Sequence, residues 1–163
     1  MPPTRLHVLD ADTERKLAAG LYNEVWRLME IESRTAEQTD AMIHAAHASR
    51  YHWGRIGAPI DVIRGEWLCS RVYAALRRAE PALWHARRCV ELLEKSGRTD
   101  DCDAAAAYQA LAAASSLAGD ADAAADSRAR AELAVSALTD LEDCQPVEIN
   151  LVELAERMRS SKA

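Results

Sequence analysis

The sequence predicts an all-α fold in which antiparallel helical hairpins stack one on the next. Three observations lead there. Apolar residues recur at helical spacing through most of the chain, and no stretch alternates apolar and polar residues as a half-buried strand would. The stretch from Gly65 to Gly97 reads as two helices joined by a tight turn at Arg77-Arg78-Ala79-Glu80-Pro81. The same layout returns 42 residues later, where Gly119 takes the place of Arg77. Alanine is abundant, and aromatic residues make up only 5 % with no Phe, which favours closely packed helices over strands.

Residues 1–9 read as a short flexible arm and residues 10–163 as one domain, a length that suits a single continuous core. A first helix is expected from about Asp10 to Ile31, with Leu17, Leu21, Val25 and Leu28 as its apolar stripe, broken by Ser33-Arg34-Thr35. Thr35 with Gln38 forms a capping-box signature for a second helix over about Ala36 to Arg55. Gly54, Gly57 and Pro59 end that helix and open the third. The third carries two apolar faces, Leu68, Val72, Ala75 and Leu76 on one and Ile63, Trp67, Ser70 and Ala74 on the other, as expected of a helix sandwiched between neighbours. Pro81 suits the first turn of a fourth helix, where no intrahelical N–H partner is needed. Its single stripe is Ala82, Ala86, Cys89, Val90 and Leu93, and Gly97 is its stop. A fifth helix is expected from about Asp101 to Leu117, and a sixth, capped by Asp120, to about Leu141. Pro146 opens a seventh, amphipathic helix to about Arg159, suited to closing the exposed end of a stack. The expected hairpins are thus about 10–56, 59–96 and 101–141, with a cap at 146–159.

The hairpin at Gly65–Gly97 resembles the tetratricopeptide repeat through Tyr73 in its first helix, Ala82 at the start of its second, and the small residue Cys89 followed by Val90. Tyr108 to Leu117, Gly119-Asp120, Ala124 and Ala131 follow the same layout. Arg77 replaces the family's turn glycine, Trp67 and Leu68 are adjacent rather than spaced, and the 42-residue period exceeds the usual ~34. The resemblance covers roughly residues 10 to 141 and implies a short right-handed α-solenoid that binds a protein or peptide. In that family the first helix of each hairpin lines a concave groove. Carried over by alignment, the groove positions are Tyr22, Val25 and Met29, then Arg64, Trp67 and Arg71, then Gln109, Ala113 and Ser116.

Arg64, Trp67 and Arg71 share a face by their i, i+3, i+7 spacing alone. Two guanidiniums flanking an indole can hold a carboxylate beside an apolar group, so an acidic segment is the expected partner. The same spacing also fits a core tryptophan whose neighbouring arginines pair with nearby acids.

A second constellation is histidine-rich. Three of the five histidines, His44, His47 and His52, fall within nine residues. His44, His47 and Tyr51 share one helical face, and Glu24 and Glu66 are the carboxylates that could complete a polar site there. That arrangement reads either as a hydrogen-bonded seam between helices or as a small-molecule or metal site, of a binding protein or of an enzyme. No tightly bound metal and no cofactor are expected, because no third ligand lies near in sequence and no Glu-x-x-His pair exists. Gly65 inside a helix implies either close approach of another helix or room for a ligand.

The totals narrow the classes. A net charge of −6 argues against a nucleic-acid backbone as the main partner. No apolar run approaches the ~18 residues of a membrane span, and Met1-Pro2-Pro3-Thr4-Arg5 lacks a signal core, so a cytoplasmic location is expected. The four cysteines form no CxxC pair, and Cys69 and Cys89 lie on apolar faces, where a free thiol acts as a small hydrophobe. No P-loop, GxGxxG or GxSxG occurs. A homodimer packed through the groove or the terminal helix is the remaining alternative.

Overall fold

The computed structural model describes residues 9–98 and 101–138. These form six helices and no strand: α1 (Ala11–Met29), α2 (Ala36–Ile56), α3 (Pro59–Ala75), α4 (Ala79–Lys95), α5 (Cys102–Leu117) and α6 (Ala121–Ala137). The expected seventh helix, and all of the N-terminal arm except Leu9, lie outside the described residues. Each helix packs on its neighbour in the chain, and α3 also touches α1 and α5. The two apolar faces of α3 follow from that position, since it meets four other helices.

Local chemistry sets the boundaries. Asp10, Asp101 and Asp120 each accept a hydrogen bond from the backbone N–H three residues on, at 2.9–3.0 Å. Thr35 and Gln38 make the reciprocal capping box, with bonds of 3.2 and 2.9 Å. Gly57 closes α2, and Pro59 is the first residue of α3.

The turn of the second hairpin recurs in the third. Arg77 adopts φ 56° and Gly119 φ 83°. After α3 the N–H groups of Arg77 and Arg78 donate to the carbonyls of Ala74 and Tyr73 at 3.0 and 2.9 Å. After α5 those of Gly119 and Asp120 donate to Ser116 and Ser115 at 3.1 and 3.0 Å. This left-handed stop satisfies the last helical carbonyls and turns the chain back on itself. The α1–α2 connection lacks it and runs through Glu30 to Thr35, with the Arg34 guanidinium donating to the carbonyls of Leu28, Met29 and Ile31.

One core runs through the stack, from Val25 and Leu28 through Met42, Trp67, Leu68 and Val72 to Leu93, Tyr108 and Ala131. The expected α4 stripe, from Ala82 to Leu93, is buried throughout. On α1, Val25 and Leu28 are buried, but Leu17 is 40 % exposed, because the face that α2 covers on that turn carries Glu14 and Ala18 instead. Gly65 serves close packing: a Cβ there would stand 2.6 Å from Cδ and 3.2 Å from Cα of Arg50, so α2 and α3 meet nearly backbone to backbone. Cys69 and Cys89 are buried free thiols. Cys102, at the start of α5, is disulfide-bonded, a state uncommon in the cytoplasm that the sequence led us to expect. No described helix is long and apolar enough to cross a membrane.

The paired turns make a direct prediction. A left-handed backbone costs a residue with a Cβ about 1–2 kcal/mol relative to glycine. Arg77→Gly should therefore raise the melting temperature by about 2–8 °C. Gly119→Ala should lower it by a similar amount, because nothing stands within 4 Å of an added Cβ there and only backbone strain is introduced. Equal and unchanged melting temperatures in both variants would contradict the assignment of these turns.

Candidate functional site

Helical periodicity brings one face of α2, carrying His47 and Arg50, against a face of α3 that carries Glu66, Cys69 and Tyr73 at i, i+3 and i+7. His85 enters from α4. The centre of the group is the Glu66 carboxylate, only 4 % exposed. Its Oε1 accepts from Arg50 Nε at 2.8 Å, and its Oε2 lies 2.7 Å from His85 Nδ1. Burial pushes the Glu66 pKa up, but the hydrogen bonds from His85 and Arg50 outweigh it and hold the carboxyl below its usual range. An ionised Glu66 accepts only, so His85 donates from Nδ1–H and turns Nε2 away, a lone pair in the neutral ring. The His85 ring stacks on Tyr73 at 10° and meets His47 edge-on, with centroids 5.1 Å apart. His47 Nε2 lies 3.0 Å from the Tyr73 hydroxyl at the solvent edge of the group. Burial, then the neighbouring His85, pull the His47 pKa down. One nitrogen of each of these two imidazoles and the Cys69 sulfur lie within 4.8 Å of one another.

The seam differs from the site expected from sequence. His47 and Glu66 belong to it. His44 is exposed on the outer side of α2. Tyr51 is 55 % exposed and lies under the Arg55 guanidinium. Glu24 pairs with Arg27 on its own helix at 2.6 Å. The i, i+3, i+7 face of α2 that joins His44, His47 and Tyr51 is only partly covered, so the spacing did not bring those three together with a carboxylate. Sequence reasoning missed Cys69, Tyr73 and His85. The signal was present in α4, where His85 is the one polar residue among the buried Ala82, Ala86 and Cys89.

A separate tie joins α1 to α2. Glu14, 2 % exposed, receives Arg55 Nε and lies 3.0 Å from His52 Nδ1. Ser49 Oγ donates to the Ala18 carbonyl nearby at 2.9 Å.

The expected groove residues divide. Trp67 is 2 % exposed and packs on Trp26 with ring centroids 5.9 Å apart, so it is part of the core and not an anchor offered to a partner. Arg71 lies over the Trp67 ring at 6.0 Å. Arg64 is engaged by the buried Asp103 of α5 through two bonds of 2.8 and 3.0 Å. Tyr22 makes an edge contact with Trp26 and is largely buried, which pushes its hydroxyl pKa up. Gln109, on α5, is partly buried. Tyr22 and Arg64 share a cavity of about 160 Å³ with Ala19, Asn23, Trp53, Asp61 and Gly65. Neither a family model nor a curated protein nor a solved structure matches the chain.

The Glu14 tie predicts an acid limb to stability. Hydrogen bonding from His52, helped by Arg55 and opposed by burial, lowers the Glu14 pKa. A carboxylate held below its unfolded value of about 4.3 contributes stability above that pH and loses it as the pH falls through the lower folded value. Urea unfolding from pH 7 down to pH 2 should show Glu14→Gln less stable at neutrality and with a shallower loss below about pH 4.5 than the parent. Parallel acid limbs would remove Glu14 from the account.

Proposed function

We propose that this chain is a short α-solenoid similar to tetratricopeptide-repeat proteins, and that it binds a protein or peptide segment in the groove of α1, α3 and α5. The observation that carries the reading is the cavity between Tyr22 and Arg64. It lies where α1 meets α3, and two of its lining residues are groove positions selected by the repeat resemblance. Contacts of α3 with both α1 and α5, and the turn repeated 42 residues apart, support a hairpin stack of the solenoid kind.

The cavity suits one side chain of a bound segment. Its aromatic walls are the rings of Tyr22 and Trp53, and Asn23 adds a polar side chain at its edge. Arg64 and Asp61 contribute one charge of each sign, and Asp103 already engages Arg64. An acidic residue of the segment would therefore bind by exchanging with Asp103, and the apolar anchor would supply most of the affinity.

Selection of a random peptide library against the folded protein tests this. Enriched peptides should share an apolar position, and Ala19→Leu, which fills the cavity, should weaken them about ten-fold, the equivalent of roughly 1.4 kcal/mol, with the melting temperature unchanged. Failure to enrich any peptide, or binding indifferent to Ala19→Leu and Tyr22→Ala, would overturn the proposal.

A further inference from the structure

We propose that His47, Cys69 and His85 form a binding site for one divalent transition-metal ion of the zinc class. The three side chains come from α2, α3 and α4, and their ligand atoms lie within 4.8 Å of one another. Sequence spacing concealed the set, since no two of its members lie on the same helix.

Each part of the group has the form that coordination needs. His85 is oriented by Glu66, whose Oε2 accepts from Nδ1–H at 2.7 Å and leaves Nε2 as the metal-ligating atom. A carboxylate behind a ligating imidazole fixes its tautomer and raises its basicity. Glu66 is itself held by Arg50, so the orientation does not depend on the ion. Cys69 is fully buried and not disulfide-bonded. His47 lies at the solvent edge and gives the ion a way in. One sulfur and two imidazole nitrogens suit zinc and its neighbours, whereas magnesium and calcium require oxygen ligands.

A tetrahedral zinc centre places such ligand atoms about 3.3–3.6 Å apart, from bonds of about 2.0–2.3 Å. Closing from 4.8 Å therefore takes about 1 Å of side-chain movement, which falls most easily to His47. The His47 contact with the Tyr73 hydroxyl, at 3.0 Å, would be exchanged for the metal bond, leaving Tyr73 or water for the fourth position. On binding, the metal–sulfur bond forms as the thiol proton leaves to solvent, and the ion's remaining charge faces Glu66. The site would clip the α2 helix to the second hairpin, independently of any peptide in the groove.

Cobalt is the probe. The full chain, without a histidine tag and stripped with chelator, is titrated with Co²⁺ and then Zn²⁺. We expect one equivalent of cobalt with a near-ultraviolet thiolate-to-metal charge-transfer band and visible bands of tetrahedral intensity, both abolished by zinc. Cys69→Ser should remove the charge-transfer band, and His47→Gln and His85→Gln should each weaken binding at least ten-fold. Cys89→Ser, whose thiol contacts the Ile63 carbonyl instead, should change nothing. A parent protein with no charge-transfer band overturns the proposal, as does a band that survives Cys69→Ser. Should Cys69→Ser fail to fold, loss of the band in Cys89→Ser overturns it equally, and retention with weakened binding in the partly exposed His47→Gln supports it.

Discussion

Glu66 is buried with a charge, and an unpaired carboxylate in that position would cost several kcal/mol. Its two oxygens are therefore committed, one to Arg50 from α2 and the other to His85 from α4. That requirement fixes the helices on both sides of α3 at once. Arg50 can reach because its own helix lies almost against the backbone at Gly65, the residue before Glu66. A side chain at position 65 would push α2 outward and lengthen the ion pair beside it. The small residue and the buried acid are thus one device, and the ring stack of Tyr73, His85 and His47 is assembled on the framework they set.

A second network performs the same task one layer over. Asp103, also buried, binds Arg64 of α3 and draws Arg98 to within 3.5 Å. Along the chain, Glu14, Glu66 and Asp103 each join α-helices of different hairpins or of one hairpin through an arginine. Such pairs contribute less to net stability than their geometry suggests, because desolvation offsets much of the attraction. What they give is registry, since a helix slipped by one turn would leave a buried charge without its partner.

What was legible in the sequence was what is local. Thr35 with Gln38, Asp120 before α6, the equivalent turns at Arg77 and Gly119, and the α4 stripe all depend on residues within one or two turns, and the structure places them as read. The site was only partly legible. Arg64, Trp67 and Arg71 share a face, but spacing does not reveal whether that face meets solvent or Trp26. His47, Cys69 and His85 meet only after three helices have packed, so no window of sequence contains the group. The acid partners of Arg64 and Arg50 are likewise 39 and 16 residues away.

The hairpin of α5 and α6 is built differently from the rest. Where α1 to α4 fill their interfaces with Leu, Met, Trp and Val, α5 buries Ala104, Ala105, Ala106, Ala107, Ala110, Ala112 and Ala114, and α6 answers with Ala124, Ala131 and Ala134. An interface of methyl groups has little to lose by truncation and no space for growth. Tolerance to mutation therefore changes sign along the stack. At the Leu, Met, Trp and Val positions of the first two hairpins the damaging changes are those that shrink a side chain, whereas at the alanines of the third, as at Gly65, they are those that enlarge one. Divergence of this third unit is steered toward its outer face and its loops, while its inner face is confined to the smallest residues.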